Sequence, residues 1–150
     1  MIRPAYPSEY AVLTELWQRS VSATHDFLSV QEIARLKICV ENEYLPNVNT
    51  YVWLDNNRRP GGFIGVVEQR IEMLFIDPDL RGQGIGRQLV NFAVGQLAAR
   101  ELDVNQQNPQ ATGFYLSMGF EITGRSALDA QGKPYPLLHM RLPESENRPD

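Results

Sequence analysis

Residues 71–89 read Ile-Glu-Met-Leu-Phe-Ile-Asp-Pro-Asp-Leu-Arg-Gly-Gln-Gly-Ile-Gly-Arg-Gln-Leu, and no other stretch limits the fold as strongly. An apolar strand runs into an Asp-Pro turn, then glycines at 82, 84 and 86, then a helix with Ile85, Leu89, Phe92, Ala93 and Leu97 on one face. A strand feeding a helix through bare glycines sets unpaired backbone N–H groups at a helix N-terminus, where the helix dipole favours an anion. Gly82, Gly84 and Gly86 tolerate positive φ and let a ligand close to the main chain. The segment therefore predicts a phosphate-binding loop.

Several phosphate sites compete. A nucleotide P-loop requires a Lys-Ser or Lys-Thr pair after its last glycine, and none follows here. A dinucleotide fingerprint requires Gly-x-Gly-x-x-Gly directly after the strand. Here Arg87 stands where the third glycine belongs, residues 77–81 intervene, and only Asp103 lies at a suitable distance for a ribose acid. A turn that binds nothing is the remaining alternative.

The chain is 150 residues long, 43% hydrophobic and 21% charged, with a net charge of −4. That length suits one domain over residues 1–142, with 143–150 as a polar, loose tail. The acidic balance disfavours nucleic acid as a partner, because no basic excess exists to neutralise a phosphate backbone. A single cysteine, Cys39, precludes an intrachain disulfide and, in its helical setting, reads as a buried, inert thiol. The first residues lack a signal-peptide core, and no stretch reaches membrane-spanning length, so a cytoplasmic protein without membrane contact is expected.

The remaining elements follow from turn and cap signals. Ile2 to Pro4 reads as a first strand, and Ser8 as the cap of a helix carrying Tyr10, Leu13, Trp17, Ser20 and Val21. Ser29 and Glu32 form a capping box, with Leu28 and Ile33 placed as a hydrophobic staple, for a helix reaching about Tyr44. Strands are expected at 50–54, 62–68, 70–76 and 101–105. Gly95 inside the glycine-loop helix suggests close packing on a sheet. Asn108 caps a helix with Pro109 at its first position and Gly119 at its end. A last strand pair, 120–128 and 135–142, flanks Asp129-Ala130-Gln131-Gly132. The order is βααβββαβαββ, an α/β (α+β) domain with a mixed, mostly antiparallel sheet and helices on both faces.

Arg81-Gly82-Gln83-Gly84-Ile85-Gly86 resembles the pyrophosphate signature Arg/Gln-x-x-Gly-x-Gly/Ala of the GNAT superfamily of acyl-CoA-dependent N-acetyltransferases. Leu-Phe-Ile-Asp-Pro before it is similar to the strand that leads into that signature. Asn105 to Phe120 resembles the second cofactor-side motif, Asn-x-x-Asn-x-x-Ala-x-x-Phe-Tyr-x-x-x-Gly-Phe. The likeness covers roughly residues 1–142 and is most specific across 70–120. Thr24 to Leu28 and Gly132 to Met140 are similar to the YjaB-like bacterial branch.

The resemblance implies acetyl transfer from acetyl-CoA, without a metal, to a primary amine of a small molecule or a protein lysine, by direct attack. The alternative is a non-catalytic acyl-CoA sensor or interaction module. The partner is the amine acceptor, and the chain is a monomer or homodimer. The diphosphate falls to the loop of Gly82, Gln83, Gly84, Ile85, Gly86 and Arg87, through main-chain N–H groups from about Gln83 to Arg87, with charge from Arg81 and Arg87. The end of the strand at Leu74, Phe75 and Ile76 is implied to part from the strand at 101–105 and bond the pantetheine arm. An N–H of Phe75 or Ile76 then meets the thioester oxygen. Asn105 and Asn108 are cofactor contacts, Asn108 doubling as a cap.

Glu72, sharing the strand face of Leu74 and Ile76, is the expected catalytic base, its carboxylate set among apolar groups. Tyr115 is the expected catalytic acid for the leaving thiolate. His25, Asp26 and Phe27 are implied to line the acceptor pocket. Tyr135 and His139, on the last strand pair, are further pocket candidates, although His139, beside Leu138 and Met140, reads first as structural.

Overall fold

The computed structural model describes residues 1–24, 28–130 and 132–143. They fall into two compact units, Met1–Ala99 and Arg100–Asp150. In the first unit, strands β1 (Ile2–Pro4), β2 (Asn49–Leu54), β3 (Pro60–Val67) and β4 (Arg70–Ile76) each pair antiparallel with the next. Its helices are α1 (Tyr10–Thr24), α2 (Val30–Cys39), the short α3 (Leu45–Asn47) and α4 (Ile85–Gln96). In the second unit, β7 (Leu137–Arg141) lies between β5 (Glu101–Asn105) and β6 (Glu121–Ser126), antiparallel to both, and α5 (Pro109–Ser117) packs on β5. Taking the α2–α3 run as one helix, the order is βααβββαβαββ, as the sequence predicts.

That run is continuous because a π turn, Val40–Tyr44, links α2 to α3. Pro46 explains the widening: it has no N–H to give the turn before it, and its ring crowds that turn's carbonyls. Ser29 Oγ accepts from the Glu32 N–H at 3.0 Å, so the cap of α2 forms as expected. The start of α1 differs from expectation. Ser8 does not cap it; the chain first makes a 3-10 turn over Pro7–Glu9. Glu9 closes that turn by accepting from the Tyr6 N–H at 2.8 Å, and Arg3 grips both carboxylate oxygens at 2.8 Å. The cap signal is therefore a glutamate reaching back, anchored by β1.

The four-stranded sheet carries helices on both faces. On one, Leu13, Leu16, Trp17 and Val21 of α1 join Val52, Leu54, Phe63 and Met73 in a closed apolar cluster, with Ile33, Val40 and Leu45 beneath. On the other, Tyr51 stacks on Phe92 of α4 with ring centroids 5.0 Å apart, and Trp53 Nε1 donates to Gln88 Oε1 at 3.0 Å. Strand β3, covered on both sides, is buried almost throughout. This double burial explains its near-continuous apolar and glycine composition.

Two expectations about glycines change. A Cβ on Gly95 would meet nothing within 4 Å, so close packing does not require that glycine. Gly86 lies within the first turn of α4 and is absent from the positive-φ residues, whereas Gly82 and Gly84 adopt φ of 78° and 81°. Cys39, expected to be buried, is half-buried at the end of α2. Among the described residues no helix is long and apolar enough to cross a membrane.

Candidate active site

The loop between β4 and α4 is built from three local causes. Asp77 ends β4: its N–H donates to the Gly61 carbonyl at 2.9 Å, and its Oδ1 accepts from the Asp79 N–H at 3.0 Å. Pro78 then opens a 3-10 turn, Pro78–Leu80, because it cannot donate to a ladder. Arg19 of α1 fastens the turn by donating to Asp77 Oδ2 at 2.9 Å. Beneath it, Leu80 lies where a Cβ on Gly61 would stand at 2.7 Å, and Ile76 where one on Gly62 would stand at 2.9 Å. Any larger residue at 61 or 62 would force the Leu80, Trp53 or Ile76 side chain to shift. The local sequence pattern assigns no role to Gly61, Gly62 or Arg19. For the two glycines the signal is the Pro-Gly-Gly at the start of β3, which reads as a turn until its neighbours are known.

Above this base, Gly82, Gln83 and Gly84 are exposed. Gly84 is the N-cap of α4, in the left-handed region, and no side chain caps the helix. Helices α2 and α5, by contrast, carry side-chain caps from Ser29 and Asn108. The first hydrogen bond within α4 runs from the Gln88 N–H to the Gly84 carbonyl at 3.0 Å, so the N–H groups of Ile85, Gly86 and Arg87 lie ahead of the helical ladder. A Cβ on Gly82 or Gly84 would meet nothing within 4 Å: the loop faces open space. Arg81 and Arg87 are exposed on either side of it in sequence, and Ile85 is buried beneath. This is a cradle of donors with open space in front of it among the described residues.

In β4, Ile71 and Met73 are buried on the α1 side, and Phe75 stacks edge-on to Trp17 at 6.4 Å. Leu74, Phe75 and Ile76 pair with Ile64, Phe63 and Gly62 of β3. The Phe75 side chain is thus committed to the core. Glu72 points the other way, as the alternation predicts, but its surroundings are not the apolar ones expected. The side chain is 42% exposed and lies 3.4 Å from Arg70 Nε. The cause is local: β4 alternates, so Arg70 and Glu72 share a face at the solvent-exposed start of the strand.

In the second unit, Asn105 Oδ1 accepts from the Gln107 N–H at 2.8 Å and Asn108 Oδ1 from the Ala111 N–H at 3.1 Å. Each asparagine shapes its own turn through its oxygen. Tyr115 is buried, its ring edge-on to Phe114 at 5.2 Å and to Phe120 at 5.9 Å. Burial holds its phenol proton well above the usual tyrosine range. Tyr135 is partly buried just before β7, and its N–H donates to the Lys133 carbonyl at 2.8 Å. His139 on β7 is held from both sides: Nδ1 is 2.6 Å from Asp103 Oδ1 and Nε2 is 2.6 Å from Ser126 Oγ. The expected acceptor residues His25, Asp26 and Phe27 lie outside the described residues, as do tail residues 144–150 and Gln131. Among the described residues no group of three or more His, Cys, Asp or Glu is placed to hold a metal.

Gly84 caps α4 with its backbone and Asn108 caps α5 with its side chain, the local structure expected at each motif. The profile of the acetyltransferase (GNAT) domain matches residues 23–142. The chain belongs to the GNAT acetyltransferase family. It is an N-acetyltransferase, an enzyme that moves an acetyl group onto an amine. It is 45% identical over 142 residues to the peptidyl-lysine N-acetyltransferase YjaB of Salmonella typhimurium, covering 95% of this chain and 97% of that one. The solution structure of apo YjaB from Escherichia coli superposes with a TM-score of 0.88 at 42% identity, covering 97% and 98% of the two chains. The PaiA N-acetyltransferase of Thermoplasma acidophilum, solved in complex with coenzyme A, shares the fold at a TM-score of 0.76 and 16% identity, with 95% and 98% covered. The finer likeness to the YjaB branch, expected from Thr24–Leu28 and Gly132–Met140, thus agrees with both whole-chain comparisons.

Proposed function

We propose that this protein transfers the acetyl group of acetyl-CoA to the side-chain amine of a protein lysine, in the cytoplasm, through a single domain spanning residues 1–142. The observation that carries the reading is the exposed, uncapped start of α4, where Gly82 and Gly84 leave the N–H groups of residues 83–87 open to a diphosphate. Arg81 and Arg87 add charge to that grip. The main chain of Leu74, Phe75 and Ile76 serves the pantetheine arm, and an N–H there stabilises the oxyanion. Asn105 and Asn108 turn their amide nitrogens to the cofactor, since their oxygens are spent on local turns. The names of the YjaB relatives support a peptidyl-lysine acceptor, met by residues 25–27 and Tyr135.

At neutral pH a lysine amine is protonated, its reference pKa being near 10.4, and must lose a proton before it can attack. Exposed Glu72 is the carboxylate to which the ammonium presents that proton, directly or through a water. The neutral nitrogen bonds to the thioester carbon, the carbon–sulfur bond breaks, and Tyr115 gives its proton to the sulfur. The proton shed by the nitrogen as it becomes an amide replaces it. A phenol whose pKa is raised by burial is protonated when the thiolate forms, and the same rise makes it a weak acid suited only to a strongly basic sulfur.

The test is calorimetry with CoA, followed by thiol release from acetyl-CoA in the presence of a lysine peptide and mass measurement of the peptide. The wild type should bind CoA, release thiol and add one acetyl group per modified lysine. Gly84→Ala, forcing a Cβ at φ of 81°, should weaken CoA binding about tenfold, or ~1.4 kcal/mol. Unchanged binding would remove the loop from the site. Binding without thiol release would favour a sensor of acyl-CoA.

A further inference from the structure

Strand register places a line of polar side chains on one face of the second unit. Asp103 of β5 lies opposite His139 of β7, and His139 lies opposite Gly124 of β6. One row further along are Asn105, Leu137 and Ser126; the row on the other side holds Glu101, Arg141 and Glu121. Residues on the opposite face, Leu102, Val104 and Met140, are buried. Gly124 carries no side chain, so the imidazole reaches past it diagonally to Ser126.

The chemistry of this line has a direction. A carboxylate only accepts, so Asp103 at 2.6 Å fixes the hydrogen on His139 Nδ1. Nε2 is then a lone pair, and the Ser126 hydroxyl at 2.6 Å donates to it. The Ser126 oxygen keeps its own lone pairs for a further donor. A carboxylate, an imidazole of fixed tautomer and a hydroxyl at such distances are the parts of a proton-abstracting device, recognised by geometry and not by chain order. The line is also partly open: the side chains of His139 and Asp103 are 37% and 28% exposed. Ser126 ends β6 in the same row as Asn105, on the strand pair whose connection carries Tyr135.

We propose that Asp103, His139 and Ser126 form the proton relay that deprotonates the acceptor ammonium. This rests on the acetyl-transfer reading above. The ammonium N–H gives its proton to Ser126 Oγ while the Ser126 proton passes to His139 Nε2, so one proton moves and the serine is restored. The resulting imidazolium is held by the Asp103 carboxylate. The relay, in place of Glu72, is then the base of the reaction. Glu101, Glu121 and Arg141, one row away, are the other charged groups on this face of the three strands. Ser126 touches the acceptor, whereas His139 and Asp103 act through it.

The experiment is kcat/KM for a lysine peptide from pH 6 to 10 in wild type, His139→Gln, Asp103→Asn, Ser126→Ala and Ser126→Thr. CoA affinity and melting temperature are measured alongside. His139→Gln should lower kcat/KM on the order of 10²-fold at neutral pH, with a deficit that shrinks as the free amine becomes neutral. Ser126→Ala should show the same narrowing deficit, Ser126→Thr should restore activity by keeping a hydroxyl, and CoA affinity should hold in all four variants. An active wild type with His139→Gln or Ser126→Ala within twofold of it at every pH overturns the relay alone. A uniform loss at all pH values, tracking a lower melting temperature, also overturns it and leaves a structural tie between strands. A wild type that neither binds CoA nor releases thiol overturns the parent reading and the relay together.

Discussion

Tyr115 shows how one residue serves packing and chemistry together. Its ring fills the space between Phe114 and Phe120, and that burial raises its phenol pKa. Phenylalanine fills the same volume without the proton. Tyr115→Phe should therefore leave CoA affinity and the fold intact while lowering kcat on the order of 10²-fold, read by thiol release under saturating acetyl-CoA. An unchanged kcat would end its role as acid. Glu72 teaches the reverse lesson. Alternation along β4 correctly gave its face, but exposure and the Arg70 partner depend on where the strand emerges from the sheet. Its surroundings were not legible from the residue and its neighbours.

Among the elements, α4 carries the clearest signal and the clearest slack. Its boundaries and buried stripe of Ile85, Leu89 and Ala93 follow from periodicity, because a surface helix must turn its apolar face inward. Gly95 breaks the helix-forming pattern without a packing reason, since open space surrounds it. Gly95→Ala should raise stability by about 0.5–1 kcal/mol in urea unfolding, with CoA affinity unchanged. A loss of stability would reveal a constraint on that helix that its surroundings do not show. The α5 cap, by contrast, was readable from Asn108-Pro109 alone, because an N-cap is satisfied within its own turn. The start of α1 was not, because Glu9 is held by Arg3 from a strand.

At the scale of the whole molecule, the buried phenol links folding to alkaline pH. An unfolded tyrosine titrates near pH 10, while folded Tyr115 holds its proton above that value. Below about pH 10 both states are protonated and the contribution is constant. Above it the unfolded chain binds fewer protons than the folded one, so stability falls by up to ~1.4 kcal/mol per pH unit from this group. Denaturant titrations from pH 8 to 11 should show that fall, and Tyr115→Phe should flatten it. An equal slope in both proteins would mean that the phenol is accessible to hydroxide.

The sequence by itself determined the order of elements, the glycine loop and the family, because turns, caps, hydrophobic periods and motif spacing act within a few residues of the chain. Only the tertiary structure decided which strands neighbour one another, and so which side chains meet. Gly61 and Gly62 matter because Leu80 and Ile76 come to rest against them. Asp103, Ser126 and His139 form a line because β7 inserts between β5 and β6. Pairing between distant segments is set by the burial of the whole sheet, and no local pattern specifies a register that only the assembled core selects.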